Sequence, residues 1–171
     1  MHKNHKGSAM KELLVLGIGN RLMTDDGIGV YVTEELRRGN TNPHIRYIIG
    51  ETDIYFCLSQ MEEALPVVIV DAAYLGKEPG SVSTIPLELG FKNSANPISV
   101  HDSHLLCELG SAGRKIEGIL ISIEPYEVNY GPSLSSVIKL KFTDICKETK
   151  ALIVEYYFTK KKASHGKQIN T

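Results

Sequence analysis

The sequence predicts a single α/β domain built on a largely parallel β-sheet. Two observations lead to this prediction: short apolar runs alternate with segments of helical periodicity, and no repeat or interdomain linker interrupts the 171 residues. A chain of this length can bury well over half of the surface that its unfolded form exposes. The fold is therefore expected to need no disulfide.

Strands and helices are predicted in a regular order along the chain. Strands are predicted at residues 13–16, 45–49, 67–70, 81–85 and 118–123. Helices are predicted at residues 27–38, 53–64, about 101–112 and 133–158, where Gly39 ends the first and Pro66 follows the second. Ser133 is expected to cap the last helix. Residues 86–100 lack periodicity and are expected to form an exposed loop.

The two ends of the chain differ from this pattern. Residues 1–9 are polar and are expected to be a disordered extension or a remnant of cloning. Residues 10–159 are expected to form the folded domain. Residues 160–171 are basic and polar, which predicts a flexible tail.

Composition argues against several classes of protein. The 19 basic and 20 acidic residues leave a net charge of -1, so we expect no nucleic-acid partner. No apolar run approaches the roughly 18 residues of a membrane span, and the N-terminal residues contain no apolar h-region like that of a secretory signal. The three cysteines form no C-x-x-C pair, which is typical of buried thiols in a reducing compartment. We therefore expect a cytoplasmic protein that does not bind membranes.

The stretch after the first strand has a glycine-rich turn like that of a nucleotide-binding loop. A dinucleotide fingerprint would require glycine at position 22, where this chain has Leu22. Asp25 and Asp26 follow at the start of the helix, where their charge would repel a bound phosphate. The turn is therefore not expected to bind a nucleotide.

Nucleophilic catalysis is a second alternative that the pattern disfavours. Asp102, Ser103 and His104 are the right residue types, but neighbours on a helix point about 100° apart and cannot form a proton relay. Ser136 and Lys139 match the spacing of an S-x-x-K motif without its companion motifs. The chain has no H-E-x-x-H sequence, which argues against a zincin-type metal site.

Two aspartates at strand ends predict a site assembled from separate parts of the chain. Asp26 follows the first strand and Asp71 follows the third, and these two strands commonly flank the ligand crevice of a doubly wound sheet. Two carboxylates in one crevice need a cation or a shared proton. His101, where the exposed loop meets a helix, can supply a third ligand, and His104 lies one turn further on. Such a set suits a divalent ion such as nickel or zinc.

These residues resemble the hydrogenase maturation endopeptidases, which remove a C-terminal peptide from the large subunit of nickel-iron hydrogenases. The opening motif is GIGNRL at residues 17–22 followed by DDGIG at residues 25–29. The likeness continues through VVIVDAA at 67–73, PGSV at 79–82, SVH at 99–101, IEP at 123–125 and YGPSLS at 130–135. It covers most of the chain, from residue 11 to about residue 152.

The resemblance implies a fold, a site and a partner. The fold is a three-layer α/β/α sandwich whose five-stranded sheet has one antiparallel strand, here residues 81–85. The metal-binding trio of the family falls on Asp26, Asp71 and His101, and His104 remains the alternative histidine. The first position is glutamate in some members of the family.

The implied activity is cleavage of a nickel-loaded hydrogenase large-subunit precursor. Nickel would come from the precursor, and zinc or cadmium could occupy the same ligands. Asp25 is expected to cap the helix, while Gly17, Gly19 and Asn20 shape the turn and can contact the substrate. We expect a monomer. A non-proteolytic metal- or ligand-binding regulator on the same fold is the alternative.

Overall fold

The computed structural model describes residues 12–61, 65–87 and 116–166. The strands are β1 (Leu13–Ile18), β2 (Ile45–Glu51), β3 (Val67–Ala72), β4 (Val82–Pro86) and β5 (Gly118–Ile123). The helices are α1 (Ile28–Arg38), α2 (Ile54–Gln60) and α3 (Ser136–Gly166), and a 3-10 helix, Thr24–Gly27, precedes α1. The sheet order is β2-β1-β3-β5-β4, and of these neighbouring pairs only β4 with β5 is antiparallel. The predicted mixed, mostly parallel sheet is confirmed.

Helices cover both faces of the sheet, as a three-layer sandwich requires. On one face Leu13 and Val15 pack in a cluster with buried side chains of α1 and α3. On the other face Leu14 and Leu16 pack with Cys57 of α2. Alternate residues of β1 therefore supply the two separate cores.

The central strands explain the uninterrupted apolar runs of the sequence. Every residue of β1 and of β3 is buried, because each strand is flanked by neighbours on both sides and covered on both faces. Within the described ranges, no helix is long and apolar enough to cross a membrane.

The cysteines that the structure describes are buried free thiols, as predicted. Burial is the main cause that raises the pKa of Cys57 to about 11, and nearby Asp53 adds to it. Burial likewise raises the pKa of Cys146 to about 11, with a contribution from Glu35. Cys107 lies outside the described residues. At neutral pH the two described thiols therefore stay protonated and serve as small apolar side chains.

The boundaries of two helices, α2 and α3, differ from the prediction. Helix α2 ends at Gln60, several residues before the predicted end, because Met61 adopts an extended conformation. Helix α3 begins at Ser136, and Ser135 rather than Ser133 caps it by accepting a hydrogen bond from the Ile138 N–H at 3.2 Å. The same helix continues to Gly166, beyond the predicted end at residue 158. The predicted helix at 101–112 and residues 88–100 of the predicted loop lie outside the described residues.

Asp25 does not cap α1, which corrects the prediction from sequence. The N-cap of α1 is Gly27, and no side chain caps it. Asp25 is instead completely buried, and one of its oxygens accepts hydrogen bonds from the Tyr126 N–H and Glu127 N–H, both at 3.1 Å. The Ser135 N–H and Ser135 hydroxyl donate to the same carboxylate at 2.7 Å. Asp25 thus ties the 3-10 helix to the loop that follows β5.

Gly29 lets α1 rest directly on the ends of two strands. A Cβ atom at this position would overlap the carbonyl oxygens of Val70 in β3 and Ile18 in β1. The backbone of the first helical turn therefore touches β1 and β3 together. This contact fixes the start of α1 at the carboxyl edge of the sheet.

We predict that Gly29→Ala destabilises the protein by about 1–3 kcal/mol, because the added methyl must displace backbone rather than a flexible side chain. Gly39→Ala is the matched control, since a Cβ there meets nothing within 4 Å. The control is expected to change the free energy of unfolding by less than about 1 kcal/mol. Urea unfolding measures both. Equal stability of the two variants would contradict the close approach at Gly29.

We predict that Asp25→Asn lowers the free energy of unfolding by about 2–3 kcal/mol, because the amide presents a donor group to backbone N–H groups that need an acceptor. The control is Asp144→Asn, whose side chain is 85% exposed and forms a surface ion pair with Lys147. A change within about 0.5 kcal/mol is expected for the control. The same urea titration tests this pair, and an unaffected Asp25→Asn variant would refute the role of the carboxylate.

Candidate active site

The candidate site lies where the winding of the sheet reverses. From β1 the chain passes to β2 on one side, and it then returns to β3 on the other side of β1. Strands β1 and β3 are parallel neighbours, with Gly17 opposite Val70 at their carboxyl ends. Ligand crevices of open α/β sheets form at this kind of switch point.

Asp71 lies at the carboxyl end of β3, inside the strand and not in a turn after it. Its side chain is completely buried, and its Oδ1 accepts a hydrogen bond from the Ala72 N–H at 2.8 Å. Its partner across the strand pair is Ser122 of β5, which is also buried. A carboxylate buried among strand ends is costly unless charge or hydrogen bonds compensate it, which favours a role beyond packing.

Asp26 lies in the 3-10 helix that follows β1 and is half-buried. Its Oδ2 accepts a hydrogen bond from the Asn20 N–H at 2.9 Å. The side chain of Asn20 in turn accepts from the Leu22 N–H at 2.9 Å and tightens the turn. The backbone N–H of Asn20 thus holds the Asp26 carboxylate in place. Nucleotide-binding loops use the same kind of backbone N–H group to bind phosphate.

Gly19 and Gly17 allow this turn to approach its neighbours closely. Gly19 has φ +131°, a conformation that other residues rarely adopt, and a Cβ there would overlap the carbonyl oxygen of Asp26. A Cβ at Gly17 would overlap the side chain of Thr33 in α1. A larger residue at position 19 would therefore push the Asp26 backbone away from its place.

The backbone contacts bring Asp26 and Asp71 to one edge. Gly29, which touches both Ile18 and Val70, follows Asp26 by three residues, and Val70 immediately precedes Asp71. His101 and the alternative His104 lie outside the described residues. Among the residues that the structure describes, no three His, Cys, Asp or Glu side chains are grouped for a metal. The structure therefore describes two members of the predicted trio.

Glu124 is a buried carboxylate at this edge to which the sequence analysis assigned no role. It follows β5 and accepts hydrogen bonds from the Leu75 N–H at 2.7 Å and the Gly76 N–H at 3.2 Å. It therefore orders the loop after β3, much as Asp25 orders the loop after β5. In the sequence, Glu124 stands between an apolar strand and Pro125. A glutamate in such a place is ordinarily interpreted as a surface charge, so its buried role could not be predicted.

Tyr74 stands among the carboxylates of the site. Partial burial raises the pKa of its phenol, and the negative charges of Asp25, Glu124, Asp26 and Glu127 raise it further. A phenol that stays protonated can donate a hydrogen bond to a ligand at this edge. The residue as a whole is 60% exposed.

Arg21 is a cation of the glycine turn, and it is paired with two glutamates and a tyrosine ring. It pairs with Glu34 at 3.1 Å and Glu51 at 3.2 Å, and its guanidinium lies 5.1 Å from the centre of the Tyr31 ring. The positive charge of Arg21 is therefore largely offset by its own partners.

The chain is similar to known proteins over most of its length. A family model described as hydrogenase maturation protease matches residues 30–151. The hydrogenase expression/formation protein HupD of Thiocapsa roseopersicina is 30% identical over 145 residues, which are 77% of this chain and 63% of that protein. The hydrogenase expression/formation protein HoxM of Cupriavidus necator is 30% identical over 141 residues, 77% of this chain and 69% of that protein. The chain thus spans less than two thirds of the first HupD relatives.

Solved structures share the fold. The maturating endopeptidase HybD from E. coli superposes with a TM-score of 0.70 at 24% identity, covering 85% of this chain and 93% of that one. The HybD maturation protease from Thermococcus kodakarensis has a TM-score of 0.64 at 25% identity, covering 83% and 99%.

The solved structures agree with the α/β fold, and the family model matches the chain from a point after the glycine turn and Asp26. The family match covers both β3, which carries Asp71, and the loop after β5, which Asp25 binds. The chain belongs to the hydrogenase maturation protease family.

Proposed function

We propose that the protein is an endopeptidase that removes the C-terminal peptide of a nickel-iron hydrogenase large-subunit precursor after nickel insertion. The observation that carries the proposal is the pair Asp26 and Asp71 at adjoining strand ends of a chain in this family. The HupD and HybD relatives are named for hydrogenase formation and for maturation, which supports the same substrate.

The proposed recognition site consists of Asp26, Asp71 and His101. Carboxylate oxygens and an imidazole nitrogen suit divalent first-row ions, and three protein ligands leave positions open for ligands from the precursor. The precursor's nickel would then be part of the substrate that these side chains recognise. Zinc or cadmium could occupy the same ligands in its absence. His104 remains the alternative to His101.

Asp26 is the better placed of the two aspartates to act as a base. It is half-buried, whereas Asp71 is completely buried. In the proposed reaction a water oxygen attacks the scissile carbonyl carbon while the carboxylate of Asp26 takes the water proton. That proton then passes to the departing amine as the C–N bond breaks. A divalent ion bound here supplies a more acidic water and polarises the carbonyl.

The proposal predicts that the protein cleaves a nickel-loaded precursor and leaves the nickel-free precursor intact. The loaded precursor presents a nickel ion that the two carboxylates can bind, and the unloaded precursor does not. Mass spectrometry of a matched precursor after incubation detects the loss of the C-terminal peptide. Cleavage of both forms would remove nickel from the recognition step, and cleavage of neither would favour a regulator that only binds.

We predict that Asp26→Asn, Asp71→Asn and His101→Ala each lower the cleavage rate at least about 100-fold, because each removes a ligand or the base. Asp144→Asn, which changes an exposed carboxylate on α3, is expected to retain full activity. Circular dichroism and urea unfolding confirm that each variant is folded. Comparing His101→Ala with His104→Ala decides between the two histidines. Full activity of either aspartate variant would refute the site.

A further inference from the structure

A group of exposed apolar side chains surrounds the candidate site. Leu22, Tyr74, Tyr126 and Tyr130, named here the apolar rim, have exposed fractions of 56%, 60%, 55% and 84%. They come from three loops, which follow β1, β3 and β5. The carboxyl ends of these parallel strands meet at one edge of the sheet. Large apolar side chains gathered at one edge mark a surface for a partner.

Backbone hydrogen bonds join two of the segments that carry the apolar rim and tie a third residue to the site. The Gly131 N–H donates to the Leu22 carbonyl at 2.9 Å, so Leu22 and Tyr130 lie on paired segments. The Tyr126 N–H donates to Asp25, the residue before Asp26. The negative charge of Asp26 contributes to the raised pKa of Tyr74. The rim therefore borders the proposed catalytic aspartate.

Buried carboxylates anchor two of the loops that carry the apolar rim. Asp25 binds the loop with Tyr126, and Glu124 binds the loop with Tyr74 through the Leu75 and Gly76 N–H groups. Both carboxylates are buried. A surface fixed in this way loses little conformational entropy when a partner binds, which raises affinity for a given contact area.

The charge around the apolar rim is mainly negative. Among the described residues, Asp26 and Glu127 are half-buried beside the rim, Asp53 and Glu78 are exposed in neighbouring loops, and Lys77 is an exposed cation in the loop that carries Tyr74. Arg21, the cation of the glycine turn, is already paired with two glutamates. Tyrosine rings also attract cations through their faces. The surface is therefore complementary to apolar and positively charged side chains.

We infer that the apolar rim is the docking surface for the precursor, which binds through a polypeptide segment that carries both apolar and cationic side chains. The inference rests on the proposed function for the identity of the partner. Docking on the rim places that segment next to Asp26 and explains why solvent-exposed tyrosines gather on rigid loops there. Exposed tyrosines buried at an interface commonly contribute a large share of the binding energy.

The experiment measures the dissociation constant between the protein and the nickel-loaded precursor by biolayer interferometry, together with cleavage. The double variant Tyr126→Ser, Tyr130→Ser is expected to raise the dissociation constant by about 10- to 100-fold. Phe158→Ser is the matched control, because Phe158 is an aromatic residue on α3 that is 49% exposed. It lies two residues before Lys160, which pairs with Glu117 at the amino end of β5, away from the rim. The control is expected to bind as the wild type does.

A charge variant tests whether the segment that docks on the rim carries cationic side chains. Glu127→Gln is expected to weaken binding several-fold at low salt and to flatten the salt dependence of the dissociation constant. Glu148→Gln on α3 removes an exposed carboxylate away from the rim and is expected to leave both unchanged. An unaltered salt dependence in Glu127→Gln would contradict a cationic partner.

The outcomes separate the docking surface from the activity. If the wild type binds the precursor but cleaves nothing, the proposed function fails while the rim variants still test docking. If the wild type cleaves and the tyrosine double variant binds with unchanged affinity, the docking surface is wrong and the proposed function stands. If the wild type does not bind a matched precursor, the docking inference is overturned.

Discussion

The carboxylate of Asp25 is the interaction on which the arrangement of the site depends. It accepts four hydrogen bonds from the loop after β5, from residues more than 100 positions away in sequence. The adjacent residue is Asp26, so the same anchor that joins two loops also places the proposed base. This completely buried carboxylate is tolerated because its two oxygens accept hydrogen bonds from four donors.

Glu124 repeats the same device on the neighbouring loop. Its buried carboxylate accepts two backbone N–H groups after β3, while its own backbone N–H and carbonyl pair with Ser81 and Gly80. Two acidic side chains thus order the loops on either side of the crevice without exposing their charge. Asp26 and Glu127, beside these loops, are only half-buried.

The glycines in and just after the first turn let neighbouring backbone segments pack closely together. Gly19 and Gly29 bring the backbone of the turn and of α1 against Asp26, Ile18 and Val70. The Asn20 N–H, which a nucleotide-binding loop would turn toward phosphate, donates to Asp26 instead. A carboxylate carried by the chain itself therefore takes the place of a bound anion, and the edge becomes suited to a cation. Under the proposed function, the apolar rim beside this edge would bind the precursor while Asp26 and Asp71 contact its nickel.

Hydrophobic periodicity in the sequence determined the strands, the order of elements and the two core faces. The apolar runs of β1 and β3 predicted central buried strands, and Asp26 and Asp71 could be located at their ends because parallel strands share an edge. Short-range patterns could not reveal the roles of Asp25 and Glu124, whose partners lie in distant loops. Asp25 read as a helix cap, and only tertiary packing showed its donors at residues 126, 127 and 135. Local sequence thus determined which residues reach the edge of the sheet, and the long-range hydrogen bonds of two buried carboxylates decided how they are held there.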